Sequence, residues 1–434
     1  MKKERYFRHF QVLILSFLCI MYFERYYLLT LLSPFTSVLE QYHITLQKTE
    51  LIASINSIAG VILFIPIIGG LLITKFGMNR VGLWSTIITM VGCLLIFISF
   101  LKPFGHVYPT FSYITLLVGQ FIAGLGLAPI MVVVLRMQLH WFKGKEYDIA
   151  MGITSSALRV GAFLGLFLGP IFLNLLGWPF PMLVPLILIL IVLVLYRVYL
   201  RKCKHVSKKK PELHPAKVIS GQSLKDLKSI MKHVMKERKF WLLSIIIFTY
   251  YGSVFPFLVI APSYFNIYYN LEMNTASFIS SILPFISVIL TPIIGLLVSK
   301  IGKPLNISII GSFCIPIGFI ALLLHLPLVI PIILLGLTLS LTSLTIWLVI
   351  TRLFKKEHYA VASGLLLWWF NAALWIMPWA TGIIIGLSSS DSHKSPIAAI
   401  PLLLIASIVL TICQLYLLYL NKRNKLNLNT LNKG

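Results

Sequence analysis

Long apolar stretches separated by short polar ones run through the whole chain. Twelve apolar runs have helical length, six on each side of the basic stretch 200–239. Each approaches or exceeds the roughly 20 residues that cross a hydrocarbon core. Because lipid offers no partner to backbone polar groups, these runs are predicted to be membrane-spanning helices. They lie near residues 10–35, 50–73, 81–101, 111–138, 148–173 and 179–199, and near 240–268, 276–298, 305–325, 328–351, 360–387 and 397–420.

Composition supports a membrane protein and explains the high positive charge. The chain is 58% apolar and 11% charged, whereas soluble domains average about 45–50% and about 25%. The net charge of +25 is not read as a nucleic-acid footprint, because about 30 of the Lys and Arg residues fall in the termini and in loops of one side. This asymmetry predicts an inner-membrane protein with both termini and the central loop in the cytoplasm.

The basic stretch 200–239 is predicted to link two halves of the chain. From Ser223 onward, apolar residues such as Leu224 and Leu227 recur at helical spacing opposite lysines. This pattern predicts a helix lying on the anionic inner leaflet, and the alternative is a solvated charged linker. The predicted organisation is an N-terminal six-helix bundle 1–199, the linker 200–239, a C-terminal six-helix bundle 240–420 and a cytoplasmic tail 421–434.

Two short segments recur once in each half. The eight residues from Gly70 to Gly77 are matched by those from Gly295 to Gly302, at the end of the second run of each half. A second pair, 142–147 and 354–359, shares Phe-Lys and a later Tyr between the fourth and fifth runs. Parallel repeats of this kind predict a binding site between the halves, near the middle of the membrane.

At these residues the sequence resembles the major facilitator superfamily. The family signature after the second span is roughly G-x-L-x-D-R-x-G-R-[RK], and both copies depart from it by a hydroxyl residue in the acidic position. The positions concerned are Gly70, Thr74, Lys75, Gly77 and Arg80 in the first copy and Gly295, Ser299, Lys300 and Gly302 in the second.

The resemblance implies an all-α membrane protein with twelve transmembrane helices in two pseudo-symmetric six-helix bundles. It implies alternating access around a site bounded by spans 1, 4, 5, 7, 10 and 11. It also implies that the repeated loops gate the cytoplasmic side. Because both acids are missing, hydroxyl hydrogen bonds are expected to replace the family's charged latch.

Two further segments bear on mechanism. In the fourth span Gln120 stands where the family often has an arginine linked to proton coupling. In the fifth span Gly161, Gly165 and Gly169 recur every four residues, which favours close helix packing. With Pro170, the last two also partly resemble a motif of drug–proton antiporters, which keeps export open as an alternative.

The first span carries the adjacent charges Glu24 and Arg25, and charges inside a bilayer are usually functional. By resemblance to branches that carry organic anions and phosphate esters, Arg25 is expected to contact the anionic group of the substrate. Glu24, the only acid clearly inside a predicted span, is either a proton-coupling site or a structural ion-pair partner of Arg159 or Arg136.

Further candidate contacts come from the fifth span and the second half. Arg159 lies near the middle of the fifth span and could also contact substrate. The second half offers aromatic and amide side chains instead, which either form walls of the cavity or simply fill helix interfaces. They are Tyr250, Tyr251, Trp368, Trp369 and Asn371.

Together these observations predict a monomeric secondary active transporter rather than an enzyme. Its expected activity is proton-coupled uptake of a small carboxylate-bearing solute, such as an amino acid or organic anion. The alternatives are a proton-driven exporter of drugs, a siderophore or another metabolite, and a non-transporting sensor that signals through the central loop. No cofactor or metal site is expected, because the chain has no Walker sequence and no zinc-type Cys or His spacing.

Overall fold

The computed structural model describes residues 2–101, 109–142, 144–209, 224–354, 356–388 and 396–424, with residues 426 and 428. This part of the chain is helical. Two short 3₁₀ turns, Ser33–Phe35 and Ile397–Ala399, accompany the α-helices. The helices are α1 (Lys2–Thr30), α2 (Thr36–Glu40), α3 (Leu46–Ile62), α4 (Ile65–Phe76), α5 (Met78–Ile98), α6 (Pro109–Trp141), α7 (Lys145–Leu176), α8 (Phe180–Lys209), α9 (Leu224–Lys236), α10 (Arg238–Tyr268), α11 (Met273–Ile301), α12 (Pro304–Leu323), α13 (Val329–Leu353), α14 (Lys356–Leu387) and α15 (Ile400–Asn424).

Eleven helices of the described part are long and apolar enough to cross a membrane, and α3 with α4 forms the second of the twelve predicted spans. This span is broken, whereas the sequence predicts one continuous run over 50–73. Pro66 lacks the N–H that would bond four residues back, and a proline there ends a helix. The residue at the break, Phe64, has a left-handed backbone with φ 48°.

The helices form the two pseudo-symmetric bundles that were predicted, α1–α8 and α10–α15. In each bundle the third span packs on the fourth and the first span packs on the fifth. Between the bundles, α7 packs on α11 and α3 packs on α14. These two contacts pair the fifth span with the eighth and the second with the eleventh, as an approximate twofold relation between the halves requires.

Both ends of the cleft between the bundles are closed. We call the end near α9 the linker side and the other end the far side. On the linker side, Gly152 of α7 meets Gly295 of α11, where an added Cβ on Gly295 would lie 3.2 Å from the Cα of Gly152. On the far side, α3 packs on the last turns of α14, and the turn Ser33–Phe35 packs on α10. The structure is therefore occluded.

The linker departs from the predicted boundaries. Helix α8 continues to Lys209, ten residues past the predicted end of the first bundle at 199. Helix α9 lies where a helix was predicted, and residues 210–223 lie outside the described residues. Val234 of α9 is buried against the membrane helices while Lys232 and Lys236 are exposed. Contact of α9 with lipid stays a prediction.

The repeated loops turn on glycines, but the hydroxyl latch is not seen. Gly77 and Gly302 have φ of 85° and 75°, a region that suits glycine. Ser299 donates to the Leu296 carbonyl of its own helix at 2.7 Å, so it does not bridge the halves. The side chain of Thr74 lies outside the described residues, as does the neighbourhood of Gly70.

Other contacts hold these loops in place. The Tyr196 hydroxyl donates to the Asn79 carbonyl at 3.0 Å, and the Arg352 guanidinium donates to the Gly302 carbonyl at 3.0 Å. The basic side chains of the two loops, Lys75, Arg80 and Lys300, are exposed to solvent. Their gating role stays a prediction.

The glycines of the fifth span are used for packing. Gly161 faces the backbone of Phe23 in α1. Gly165, one turn further along α7, faces the side chain of Thr30. Gly169 faces the ring of Phe35. These three glycines therefore let α1 and α7 approach closely. Helix packing accounts for their four-residue spacing without a drug-export role.

Replacing Gly161 by leucine should destabilise the first bundle, since the new side chain has only the Phe23 backbone to displace. Overpacking of a tight interface costs about 1–3 kcal/mol. We expect a lower melting temperature of the purified protein, followed by tryptophan fluorescence. The control is Val194→Leu in α8, where the residue is 63% exposed and a larger side chain meets no tight contact. This variant should melt like the parent. Equal melting of all three proteins would contradict the packing role.

Candidate functional site

A small closed cavity lies between the two bundles. Its volume is about 20 Å³, room for about one water molecule. Six spans line it, the first, fourth, fifth, seventh, tenth and eleventh, which are the six that the family resemblance implies. The lining residues are Tyr22, Tyr26, Met131, Leu135, Met151, Ser155, Leu158, Tyr251, Ser343, Trp347, Leu367 and Phe370.

Arg159 of α7 lies beside this cavity and is almost fully buried. Its Nη2 donates to the Ser343 hydroxyl of α13 at 2.6 Å. Its guanidinium stacks over the rings of Tyr26 and Phe255, at 5.2 and 5.3 Å from their centroids. Its Nη1 has no hydrogen-bond partner. No ion pair of the described residues involves it, so an uncompensated cation with a spare donor lies behind the cavity lining, bonded to the lining residue Ser343.

The two tyrosines of the seventh span take different places. Tyr251 lines the cavity, accepts a hydrogen bond from Trp347 Nε1 at 2.9 Å and packs edge-on against Phe370. Tyr250 lies behind it, where its hydroxyl donates to the Thr338 carbonyl at 3.5 Å. Only Tyr251 of the pair is therefore placed to touch a solute in the cavity.

Arg25 does not line the cavity; it is held in a polar network that joins the two bundles. Its guanidinium donates to Asn56 Oδ1, to the Ser57 hydroxyl at 2.9 Å and to Asn371 Oδ1 at 3.2 Å. Asn56 in turn donates to Gln120 at 3.2 Å. Gln120, which stands where the family often has an arginine, thus ends a chain of neutral polar side chains around Arg25. Substrate contact by Arg25 stays a prediction.

The tryptophans of the eleventh span do not line the cavity. Trp368 Nε1 donates to the Val61 carbonyl at 3.0 Å, and its ring stacks on Phe64. Trp368 thereby covers the break between α3 and α4. Trp369 packs edge-on against Trp241 and Phe248 of α10. Both pack on neighbouring helices in this occluded structure, and their contact with a solute stays a prediction.

Glu24 is fully buried but faces away from the cavity, toward the third span. Its Oε1 accepts a weak hydrogen bond from the Cys93 thiol at 3.5 Å, and its Oε2 has no partner. No ion pair joins it to Arg159 or Arg136 among the described residues. The structural ion pair is thus not formed, and the proton-coupling role stays a prediction.

Sequence reasoning missed several residues of this region. Ser343 belongs to a stretch of alternating hydroxyl residues, 338–345, and that unusual polarity inside a span was the signal to follow. Glu50 stands at the first position of the predicted run 50–73, yet it is fully buried in α3. The expectation that Glu24 is the only acid inside a span is therefore corrected.

Three possible metal ligands meet outside the spans, where the sequence predicts none. His233 and Glu237 of the linker region and His358 of α14 place one ligand atom each within 4.8 Å of the others. Glu237 pairs with Lys239 at 2.8 Å, and this cation already neutralises the carboxylate. We assign no metal to this cluster.

Comparison with known proteins gives one family throughout. The model of the Major Facilitator Superfamily matches residues 14–378. The chain is 26% identical over 389 residues to the lysosomal dipeptide transporter MFSD1 of Pongo abelii, and equally to that of Homo sapiens, with 83% of this chain and 76% of each relative covered. The Danio rerio protein of that name is 24% identical over 62% of this chain and 59% of its own length.

A solved structure shares the fold. The proton:xylose symporter XylE bound to 6-bromo-6-deoxy-D-glucose superposes with a TM-score of 0.71 at 13% identity. The match covers 95% of this chain and 96% of that one. At this identity the likeness concerns the arrangement of the helices.

The Arg25 network should behave as one unit. We expect Arg25→Gln and Asn371→Ala to be strongly non-additive in melting temperature, because each removes the partner of the other. Residues in one hydrogen-bond network couple by about 0.5–3 kcal/mol. The control pair is Arg25→Gln with Thr411→Ala. The Thr411 hydroxyl donates to the carbonyls of Ser312 and Ser407, away from the Arg25 network, so the two changes in melting temperature should add. Additivity in both pairs would mean that Arg25 and Asn371 are not linked.

Proposed function

Because the chain belongs to the Major Facilitator Superfamily, we propose that this secondary transporter carries a small solute bearing a carboxylate and binds that carboxylate on Arg159. The candidate solutes are amino acids, organic anions and dipeptides. The observation that carries the proposal is the unpartnered Nη1 of Arg159, buried beside the central cavity with no acid to neutralise it.

A carboxylate fits this cation better than a neutral group does. A guanidinium offers a planar fork of donors that matches the two oxygens of a carboxylate. The bond from Nη2 to Ser343 leaves Nη1 free to donate. A solute without an acceptor would leave that donor unsatisfied, and an unsatisfied buried donor costs about 1–3 kcal/mol. A neutral carbonyl would also accept this hydrogen bond, but only a carboxylate brings the negative charge that this uncompensated guanidinium lacks, and charge-assisted hydrogen bonds are roughly twice as strong as neutral ones.

The rest of the cavity supports a zwitterion or a short peptide. Its wall contains Tyr22, Tyr26 and Trp347, whose ring faces can attract an ammonium group and pack on apolar side chains. Dipeptides join the candidates because the relatives from Pongo abelii and Homo sapiens are named dipeptide transporters. The lining contains no acidic residue, so the aromatic faces would take the amino end of such a solute.

Binding requires the cleft to widen. A cavity of about 20 Å³ holds about one water. A dipeptide therefore enters only after one of the two seams has opened, where a seam is the contact between the bundles at α7–α11 or at α3–α14. In the proposed cycle the α7–α11 contact opens on the linker side, and the α3–α14 contact opens on the far side. The Arg25 network crosses from α3 to α14, so it would rearrange in that second movement.

We further propose that transport is proton-coupled uptake through the inner membrane, with the linker side in the cytoplasm. The excess of Lys and Arg on that side supports the orientation. Glu24 supports the coupling, because a buried acid with no cation beside it is expensive to ionise. Movement that hydrates Glu24 would let it release a proton.

Substitution of Arg159 tests the substrate class. We expect carboxylate ligands to raise the melting temperature of the parent protein, and C-terminally amidated dipeptides to raise it far less. Arg159→Gln should weaken binding about 10- to 150-fold, the equivalent of the roughly 1.5–3 kcal/mol of a hydrogen bond to a charged group. Arg136→Gln, which removes a half-buried cation of α6, is the control. Equal binding of acid and amide would exclude a carboxylate site.

An imposed pH gradient tests the coupling. Uptake of the identified ligand into proteoliposomes should rise when the compartment outside is more acidic, and Glu24→Gln should abolish that dependence while leaving counterflow intact. Uptake that ignores the gradient in the parent would remove the proton claim. Net efflux driven by the gradient, measured in inverted vesicles, would favour the exporter instead.

A further inference from the structure

A second buried acid lies on the far side, in the seam between the bundles. Glu50, in the second turn of α3, is fully buried. Its Oε2 lies 3.4 Å from the hydroxyl of Thr381 in α14, and its Oε1 has no hydrogen-bond partner. The acid thus faces the opposite bundle, unlike Glu24, which faces the third span of its own bundle.

Glycines of α14 bring the two helices close together at this point. An added Cβ on Gly382 would lie 3.2 Å from the Cβ of Glu50 and 3.3 Å from the carbonyl oxygen of Gln47. An added Cβ on Gly386 would collide with the Gln47 side chain. The absence of side chains here lets α14 cover Glu50.

No described cation neutralises Glu50. On its own helix, Lys48 donates to the His43 carbonyl at 2.8 Å and lies over the ring of Tyr113 from α6. In α14, residues 361–387 contain no charged or other titratable side chain. From α1, Arg25 reaches α3 at Asn56, six residues or about 9 Å further along the helix.

No ion pair joins Glu50 to the remaining described neighbours of α3. Helix α10 touches α3, and Tyr264 near its far end donates to the Leu322 carbonyl in α12. None of these groups forms an ion pair with Glu50. An ionised carboxylate in this closed seam would therefore be a buried charge without compensation, which is far more costly than the neutral acid.

We infer that Glu50 is a proton-binding site of the far-side gate, which holds a proton while α3 and α14 are closed and releases it when the seam opens to water. This inference rests on the alternating access proposed above, but not on the identity of the solute. Closing takes up one proton and opening releases one, and the O–H bond of Glu50 is the only covalent bond that changes. Acid on the far side therefore favours closure.

The test measures opening of the seam directly. In a variant whose native cysteines are replaced by alanine, Ser54→Cys places a thiol four residues from Glu50, on the same face of α3 and fully buried when closed. A membrane-impermeant thiol reagent is applied from the far side to protein in liposomes at several pH values. Rates are divided by those of Gln41→Cys, an exposed far-side position, to remove the pH dependence of the reagent.

We expect the normalised rate to rise with pH, by up to about tenfold per unit, as one proton released on opening requires. Glu50→Gln, which cannot ionise, should hold the rate low at every pH. Glu24→Gln should keep the pH dependence of the parent. A rate in the parent that does not depend on pH, or the same pH dependence in Glu50→Gln, would overturn the inference.

A second variant keeps the test decisive if Glu50→Gln does not fold. Gly382→Leu wedges the seam apart, so Glu50 stays hydrated and Ser54→Cys should react fast at every pH. Persistence of the parent's pH dependence in this variant would also overturn the inference. These readouts need no substrate, so failure to find a transported carboxylate would count against the proposed solute and not against the gate.

Discussion

Four of the five buried charged side chains of the described residues, all but Asp148, form no ion pair there and constrain everything else in this molecule. They are Glu24, Arg25, Glu50 and Arg159. In a medium of low dielectric constant an uncompensated charge is the most expensive group to bury. The helices therefore supply neutral acceptors to Arg25, ring faces and a hydroxyl to Arg159, and only a thiol or a hydroxyl to the two acids.

This arrangement leaves contacts between the bundles that can separate at low cost. Breaking a buried ion pair leaves two uncompensated charges, which is strongly destabilising. Here the linker-side seam is a glycine-to-glycine contact at Gly152 and Gly295, and the far-side seam rests on Gly382 and Gly386. A carrier that opens each seam in turn needs surfaces that fit closely and release easily. The missing acids of the two repeated loops are consistent with such a design.

Two polar clusters join the bundles, and one of them lies beside the cavity. Arg25, Asn56 and Asn371 form a network from one bundle to the other, whereas Arg159 keeps a free donor beside the cavity. Both arginines lie at midplane depth by sequence count. Their roles diverge because α3 and α14 supply amide oxygens around one, while aromatic rings surround the other.

The sequence alone determined the membrane location, the twelve spans and the duplicated bundles, because hydrophobic length and repeated motifs are properties of the chain itself. It also identified Arg25, Arg159 and Glu24 as buried charges. Only the tertiary structure decided which of these lies against the cavity lining, that Trp368 covers the break after α3, and that Glu50 lies between the bundles. The depth of a residue follows from its position in a run, but its partners follow from helix rotation and packing, which residues far apart in the chain fix together.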